Sequence, residues 1–300
     1  MILRLLFLLG AVSGLLACGE DSSDAYQFLA IGHVYRWDDT NDRMDPRIDA
    51  LDLSDYDGIW LLGDLTGRTS EQTSTLDYID AKFDLDAAST HWSIGNHDLV
   101  KGDSNRIVAK TGRPTFYYAP VVAPGLNLLV LNTNLFTYPR SQVGAERCAQ
   151  LERQLGLVES VTELQTPDDH LVVLHHHALL TNERADTFPP FNLVWNFYHP
   201  EFWVSCDTME TFSNTYLPHF DRTRARGTEI TFVGGDIGQR TKRFEHRDEA
   251  GMLWLGTGIN NSMDPRYPPD YVTSFAPDHL LKITYRDAQL WHQFIPLGDD

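Results

Sequence analysis

Basic residues are scarce in this chain: 24 Lys and Arg stand against 42 Asp and Glu, a formal net charge of −18 over 300 residues. Such a surface repels phosphate backbones, which excludes non-specific binding to DNA or RNA. Small anionic substrates stay open, because a bound cation reverses the field inside a cleft. The sequence has no Gly-x-Ser-x-Gly elbow, no Walker loop and no dinucleotide-type glycine turn, so serine-esterase, P-loop and Rossmann chemistries lack their signatures. It has no internal repeat or low-complexity segment either. Apolar residues at 42% and aromatics at 11% are ordinary for a globular protein, and the length suffices to bury a sizeable core.

The apolar run from Leu5 to Leu16 is too short to span a bilayer comfortably and follows the positive Arg4. That is the pattern of a secretory signal. Leu15-Leu16-Ala17-Cys18 resembles a bacterial lipobox, which predicts a signal peptide over 1–17 and a lipid on Cys18. The polar residues Glu20 to Asp24 then read as an acidic tether over 18–25, and Gly19 permits outer-membrane sorting. The expected location is the cell envelope, on the periplasmic face. Only three cysteines occur, and setting Cys18 aside leaves Cys148 and Cys206. In an exported chain these are either bridged, contributing roughly 2–4 kcal/mol, or buried thiols.

From Tyr26 onward, strand-like runs alternate with helical or loop stretches, which predicts one α/β domain over 26–300. Strands are expected at Gln27–Ile31, Gly58–Leu62, His91–Ile94, Thr115–Val122, Leu126–Leu131, Leu171–Leu174, Thr228–Val233 and Met252–Leu255, with a hairpin from His279 to Ile295. Helices are expected at Asp45–Leu53, Thr69–Phe83 and, most clearly, Ala145–Leu164, where Cys148, Leu151, Leu155 and Val158 recur at helical spacing. Residues 187–209 are aromatic and aperiodic, and read as a lid, a substrate wall or a loop over the core.

Several of these strands stop abruptly at polar residues. Gly63-Asp64 follows one and Gly95-Asn96-His97-Asp98 another; His33 with Tyr35, His175-His176-His177, and Asp236 end three more. Ligands of open α/β layers bind off the carboxyl ends of strands, so these tips are expected to face one crevice. Asp, Asn and His suit Zn, Mn, Fe or Mg. Other histidines, including His91 and His170, read as surface or core residues.

These motifs resemble the calcineurin-like metallophosphoesterase family over most of residues 26–296. The family pattern runs Asp-x-His, Gly-Asp, Gly-Asn-His-Asp/Glu, a later His after a strand, and Gly-His-x-His. The resemblance implies a two-sheet β-sandwich flanked by helices in a single domain, and one or two divalent or trivalent metal ions (Zn, Mn or Fe). It implies hydrolysis of a small phosphate ester or phosphorylated glycan. Asp64 takes the place of the bridging ligand and Asn96 that of a ligand to the second metal. His97 takes the general acid's place, oriented by Asp98. Val172 to Ala178 aligns best with His176 as the later ligand, and His175 as the fallback, because alternation lets only one of two neighbours face the metal.

The sequence departs from the pattern at both ends. His33 stands where the family has Asp, Tyr35 where it has His, and Gly235-Asp236-Ile237-Gly238 where it has Gly-His-x-His. Asp64, Asn96, His176 and Asp236 make one plausible ligand set, whereas the other keeps Asp64 with His33 and Tyr35 and loses a donor at Gly238. Three readings follow: a one-metal or non-standard hydrolase, a two-metal phosphatase using His33 and Tyr35, or a non-catalytic lipoprotein that binds metal, a partner or a surface polymer. The acidic run Asp38, Asp39, Asp42 and Asp45 reads as a solvated loop or helix cap, or as replacement ligands.

Overall fold

The structure, a computed structural model, describes residues 25–298 apart from 37, 39, 138–142, 181–193, 197–200, 207–209, 260–269 and 271. Among the described residues, eleven strands form two mixed sheets. The first orders β11 (Gln289–Pro296), β10 (His279–Arg286), β1 (Tyr26–Ile31), β2 (Gly58–Leu61) and β3 (Thr90–Trp92). The second orders β4 (Val121–Ala123), β5 (Leu126–Val130), β6 (His170–His175), β7 (Glu229–Gly234), β9 (Leu253–Thr257) and β8 (Arg243–Arg247). In the first sheet the parallel strands β1–β2–β3 are extended on one side by antiparallel β10 and β11; in the second, parallel β5–β6–β7–β9 has an antiparallel strand at each edge.

Side-chain alternation explains why the sheets stack. Phe28, Ala30, Trp60 and Leu62 from the first sheet meet Leu128, Val130, Val172, Leu174, Val233 and Leu255 from the second in the sandwich core. The alternate residues turn outward. Leu29, Ile31, Ile59 and Leu61 pack under α1 (Pro46–Asp49), α2 (Thr73–Phe83) and α4 (Ser104–Thr111). Leu129, Leu171, Val173, Ile230 and Phe232 pack under α5 (Ala145–Leu164) and α6 (Leu217–Ala225). Strands buried on both faces therefore read as continuous apolar runs. The fold is the expected two-sheet sandwich flanked by helices.

Three expected elements are shorter than their patterns. The helix expected over Asp45–Leu53 is only α1: the Asp45 carboxylate caps it by accepting from Arg47 N at 2.8 Å, and Leu51 and Leu53 pack as loop residues instead. Residues 69–72 are drawn out of the second expected helix into a hydrogen-bonded loop described below. The expected strand Thr115–Val122 reduces to β4, with an isolated bridge of Tyr118 to Val130 ahead of it. The hairpin turn centres on Asp287 and Ala288, at φ 52° and 58°, as a two-residue turn with both central residues at positive φ requires. Cys148 at the start of α5 is disulfide-bonded to Cys206, with Cα atoms 5.8 Å apart.

Candidate functional site

The ends of β1 and β2 carry backbone strain. His33 follows β1 at φ 51° and Asp64 follows β2 at φ 55°, a region that non-glycine residues enter at a cost of about 1–2 kcal/mol. His33 N donates to Gly63 O and Val34 N to Asp64 O, so the two strained corners hold each other. The turn after β3 closes against them. A Cβ on Gly95 would fall 2.1 Å from Asp64 Oδ1, and one on Gly63 2.5 Å from His176 Nδ1. Glycine at both positions lets the Asn96 turn and the His176 segment reach Asp64.

Parity decides between the neighbouring histidines. His175 continues the outward row of Leu171 and Val173; its ring lies among Trp195, Phe232 and Trp254, and burial pushes it down to about 4. His176 faces the sandwich side, fully buried, with Nδ1 2.8 Å from Leu62 O and Nε2 3.4 Å from Asp64 Oδ2. Burial disfavours charge on His176, but Asp64 and then Asp236 outweigh it and raise its pKa to about 10. Burial likewise opposes the Asp64 carboxylate, and His176 holds it well below the usual range. The buried pair favours positive charge beside Asp64.

Three imidazoles around Asp64 are anchored alike. His176 Nδ1 meets Leu62 O, His33 Nδ1 meets Ile259 O at 3.1 Å, and His97 Nδ1 meets Gly67 O at 3.2 Å. A carbonyl at Nδ1 holds a proton there, so that Nε2 is the nitrogen a metal would take, in His176 by displacing its second proton; this is the arrangement of metal-binding histidines. His176 Nε2 is buried without a hydrogen-bond partner; its approach to Asp64 is close enough for an ion pair but not aligned as a hydrogen bond. His33 is buried, and desolvation lowers it to about 4 against the pull of Asp64.

Asp98 has a different place from the one expected. Its Oδ2 accepts from Gly95 N at 2.8 Å and Asp64 N at 2.9 Å, and its Oδ1 from Leu65 N at 3.1 Å and Thr69 Oγ1 at 2.7 Å. Both oxygens are thus occupied in clamping the Asp64 corner to the Gly95 turn, and Gly67 O, not Asp98, orients His97. Burial and the nearby Asp64 raise the Asp98 carboxyl. His97 is half-buried at the N-terminus of α3 (Asn96–Leu99), its backbone N donates to Asp64 Oδ1 at 2.9 Å, and its ring lies 5.0 Å from that of Tyr35.

The remaining candidates are unequally placed. Asp236 is 3% exposed, and its N donates to His176 O. Tyr35 is buried, with its ring 4.8 Å from that of His33. Asn96 is exposed at the mouth. Gly238 has φ 128°, and a Cβ there would fall 2.4 Å from Ile259 O, the carbonyl that anchors His33. Backbone therefore fills the position where the family pattern has its last histidine. Among the described residues no three His, Cys, Asp or Glu side chains gather at metal-ligand spacing; the convergence stops at Asp64 and His176, with His33 and Asp236 acting on them electrostatically. A buried imidazole nitrogen without a hydrogen bond, beside a carboxylate, fits a divalent cation at that pair.

Asp38 and Asp45 are committed locally, Asp38 to Thr40 and Asn41 and Asp45 to Arg47, as loop and cap residues are. Of residues 187–209, the described Val194, Trp195, Phe202 and Val204 pack into the core outside the second sheet; residues 187–193, 197–200 and 207–209 lie outside the described residues. Gly67, Thr69 and Ser70 hold the site together and escaped the sequence reading, although their place directly after a strand tip is a signal. A cavity of about 550 Å³ opens over Tyr35 and His97, walled by Arg68, Lys101, Asp38 and Asn41.

The two-sheet sandwich thus carries a carboxylate–imidazole pair at its strand ends. The model of the calcineurin-like phosphoesterase family matches residues 29–208, and the chain belongs to that family. Among solved structures, a dimetal phosphatase from Danio rerio is similar in fold, with TM-score 0.58 and 12% identity over 91% of this chain and 97% of its own. A phosphopantetheinyl hydrolase from Mycobacterium tuberculosis is 15% identical over 83% of this chain and 99% of its own, at TM-score 0.42. No curated protein matches the sequence.

Proposed function

We propose that the chain is an exported, metal-dependent phosphoester hydrolase with a rebuilt metal site. The observation that carries this reading is the buried His176 Nε2, without a hydrogen bond and 3.4 Å from the Asp64 carboxylate. Asp64, His176, Asp236 and Asn96 would hold one divalent ion, and His33 with Tyr35 a second where one binds. Such an ion supplies Lewis acidity toward a phosphoryl oxygen and lowers the pKa of water toward neutrality.

The chain's own residues do the rest. Leu62 O and Gly67 O fix the tautomers of His176 and His97. His97, half-buried beside the cavity with its Nδ1 proton held by Gly67 O, donates the Nε2 proton of its imidazolium form to the leaving oxygen, worth typically 10²–10⁴ in rate. Asp98 keeps Asp64 and the His97 turn in register. The Cys148–Cys206 bridge supports export, since disulfides persist in oxidising compartments. Lipidation at Cys18 belongs to the same proposal; residues 1–24 lie outside the described residues, and among those described no helix is long and apolar enough to cross a membrane.

Turnover of p-nitrophenyl phosphate and its diester by the metal-supplemented chain tests the reading. Wild type is expected to hydrolyse at least one, and His97→Ala to lose most of kcat while keeping its metal. A His97→Ala variant as active as wild type would remove the general acid. A second reading, a fold retained without turnover, rests on the backbone packed at Gly238; it predicts no hydrolysis with any of Zn, Mn or Fe.

A further inference from the structure

The cavity over His97 carries two cations in a strongly acidic chain. Arg68 and Lys101 both line it, although the net charge is −18. The acidic neighbour on its wall is already committed: Asp38 pairs with Arg36 at 3.2 Å and accepts from Thr40 and Asn41. Arg68 stands 3.6 Å from Glu71, with its side chain 37% exposed. Lys101 is exposed, and no ion pair holds it among the described residues. Among the described residues Lys101 is therefore the uncompensated charge there, beside an Arg68 whose partner Glu71 stands off at 3.6 Å.

The backbone presents both cations as one unit. Arg68 directly follows Gly67, whose carbonyl orients His97. Lys101 lies just beyond α3, the helix that carries His97, at φ 55°. The next residue, Gly102, is seated so closely on Ser70 that a Cβ would fall 1.9 Å from Ser70 Oγ. Ser70 in turn donates from Oγ to Asp98 O at 2.6 Å, and Asp103 N donates to Ser70 O at 3.2 Å. The Arg68 loop and the Lys101 turn are thus pinned to each other beside the proposed proton donor. A strained, non-glycine corner that projects a cation into a cavity is the kind of conformation that surrounding structure maintains for binding.

Resting on the hydrolase reading above, we propose that Arg68 and Lys101 bind a second phosphoryl group carried by the leaving group. His97 protonates the leaving oxygen, so groups beside His97 meet the departing portion of the substrate. An arginine fork and a lysine point charge together suit a phosphoryl dianion. The favoured substrates are then bisphosphates or diphosphates, and simple monoesters with neutral leaving groups are poor ones.

Calorimetric titration of the purified chain with propane-1,3-diphosphonate and with propylphosphonate tests this, since the two differ in the second anionic group and neither is hydrolysed. Wild type is expected to bind the diphosphonate about tenfold more tightly, equivalent to about 1.4 kcal/mol. The double variant Arg68→Ala/Lys101→Ala should lose most of that ratio, whereas Arg68→Lys/Lys101→Arg should keep it. In wild type the ratio should also shrink as salt rises from about 50 to about 500 mM. A ratio near one in wild type, one unchanged in the alanine variant, or one insensitive to salt overturns the proposal. Binding is read without turnover, so an absence of hydrolysis would sink the proposed function and leave this outcome to be decided separately.

Discussion

Asp98→Asn separates two accounts of the Gly-Asn-His-Asp turn. The Asp98 carboxylate accepts from Asp64 N, Gly95 N, Leu65 N and Thr69 Oγ1. An amide supplies only one oxygen, and its NH2 must face either two N–H donors or the Leu65 N–H and Thr69 hydroxyl. The second orientation is better, because the hydroxyl can rotate and accept. It still strands the Leu65 N–H, at about 1–3 kcal/mol, and weakens the two bonds that remain to a charged acceptor. Removing the charge relieves repulsion with Asp64, which offsets part of the loss. The net expectation is a stability loss of about 2–3 kcal/mol together with a fall in turnover, because the Asp64 corner is released. Urea unfolding followed by tryptophan fluorescence, alongside steady-state kinetics, measures both. Activity lost with stability unchanged within about 0.5 kcal/mol would refute the clamp, and would instead indicate that Asp98 orients His97 during turnover.

Gly95→Ala should be more severe in function than its size suggests, since the new Cβ would meet Asp64 Oδ1 at 2.1 Å; metal content and kcat should fall together, and a variant with normal values of both would contradict the packing. Opening the bridge with Cys148→Ser/Cys206→Ser should cost about 4 kcal/mol, from the loop-entropy relation applied to a separation of 58 residues, and an unfolding midpoint equal to wild type would show that the bridge is idle. His91 is 3% exposed, with neither ring nitrogen hydrogen-bonded, and burial then Arg113 push it down to about 4. Its folded pKa lies below the unfolded value of about 6.5, so the unfolded chain binds the extra proton and stability is lost as pH falls from about 6.5 toward 4. At most about 3 kcal/mol rides on this group. Unfolding free energies of His91→Phe should show a shallower decline across that window, and an equal slope would remove His91 as its source.

The fold was legible because each central strand is apolar on both faces and stops at a polar tip; Gly58–Leu61 before Asp64 and Leu171–Leu174 before the histidines are the plainest cases. Alignment with the family pattern favoured His176 over His175, and strand alternation left room for only one of the two; the structure sets His176 beside Asp64. The edge strand Arg243–Arg247 escaped notice because only Phe244 of its five residues is buried. Helices Ser104–Thr111 and Leu217–Ala225 are short and bury few residues, too few to sustain a periodic signal. The role of Asp98 was hidden for another reason: one motif can orient a side chain or clamp a backbone, and only the donors around it distinguish the two. Gly238 likewise reads as a missing histidine in sequence, while in space Ile259 occupies its room.

The central claim is that Asp64 and His176 form the nucleus of a metal site. Elemental analysis of the purified chain, grown with ample Zn, Mn and Fe, tests it most directly when wild type is compared with Asp64→Asn and His176→Ala. The account predicts at least one equivalent of metal in wild type, and a second where His33 and Tyr35 also bind, with each variant losing metal while remaining folded. Wild-type protein free of metal, or variants that retain the full complement, would contradict it.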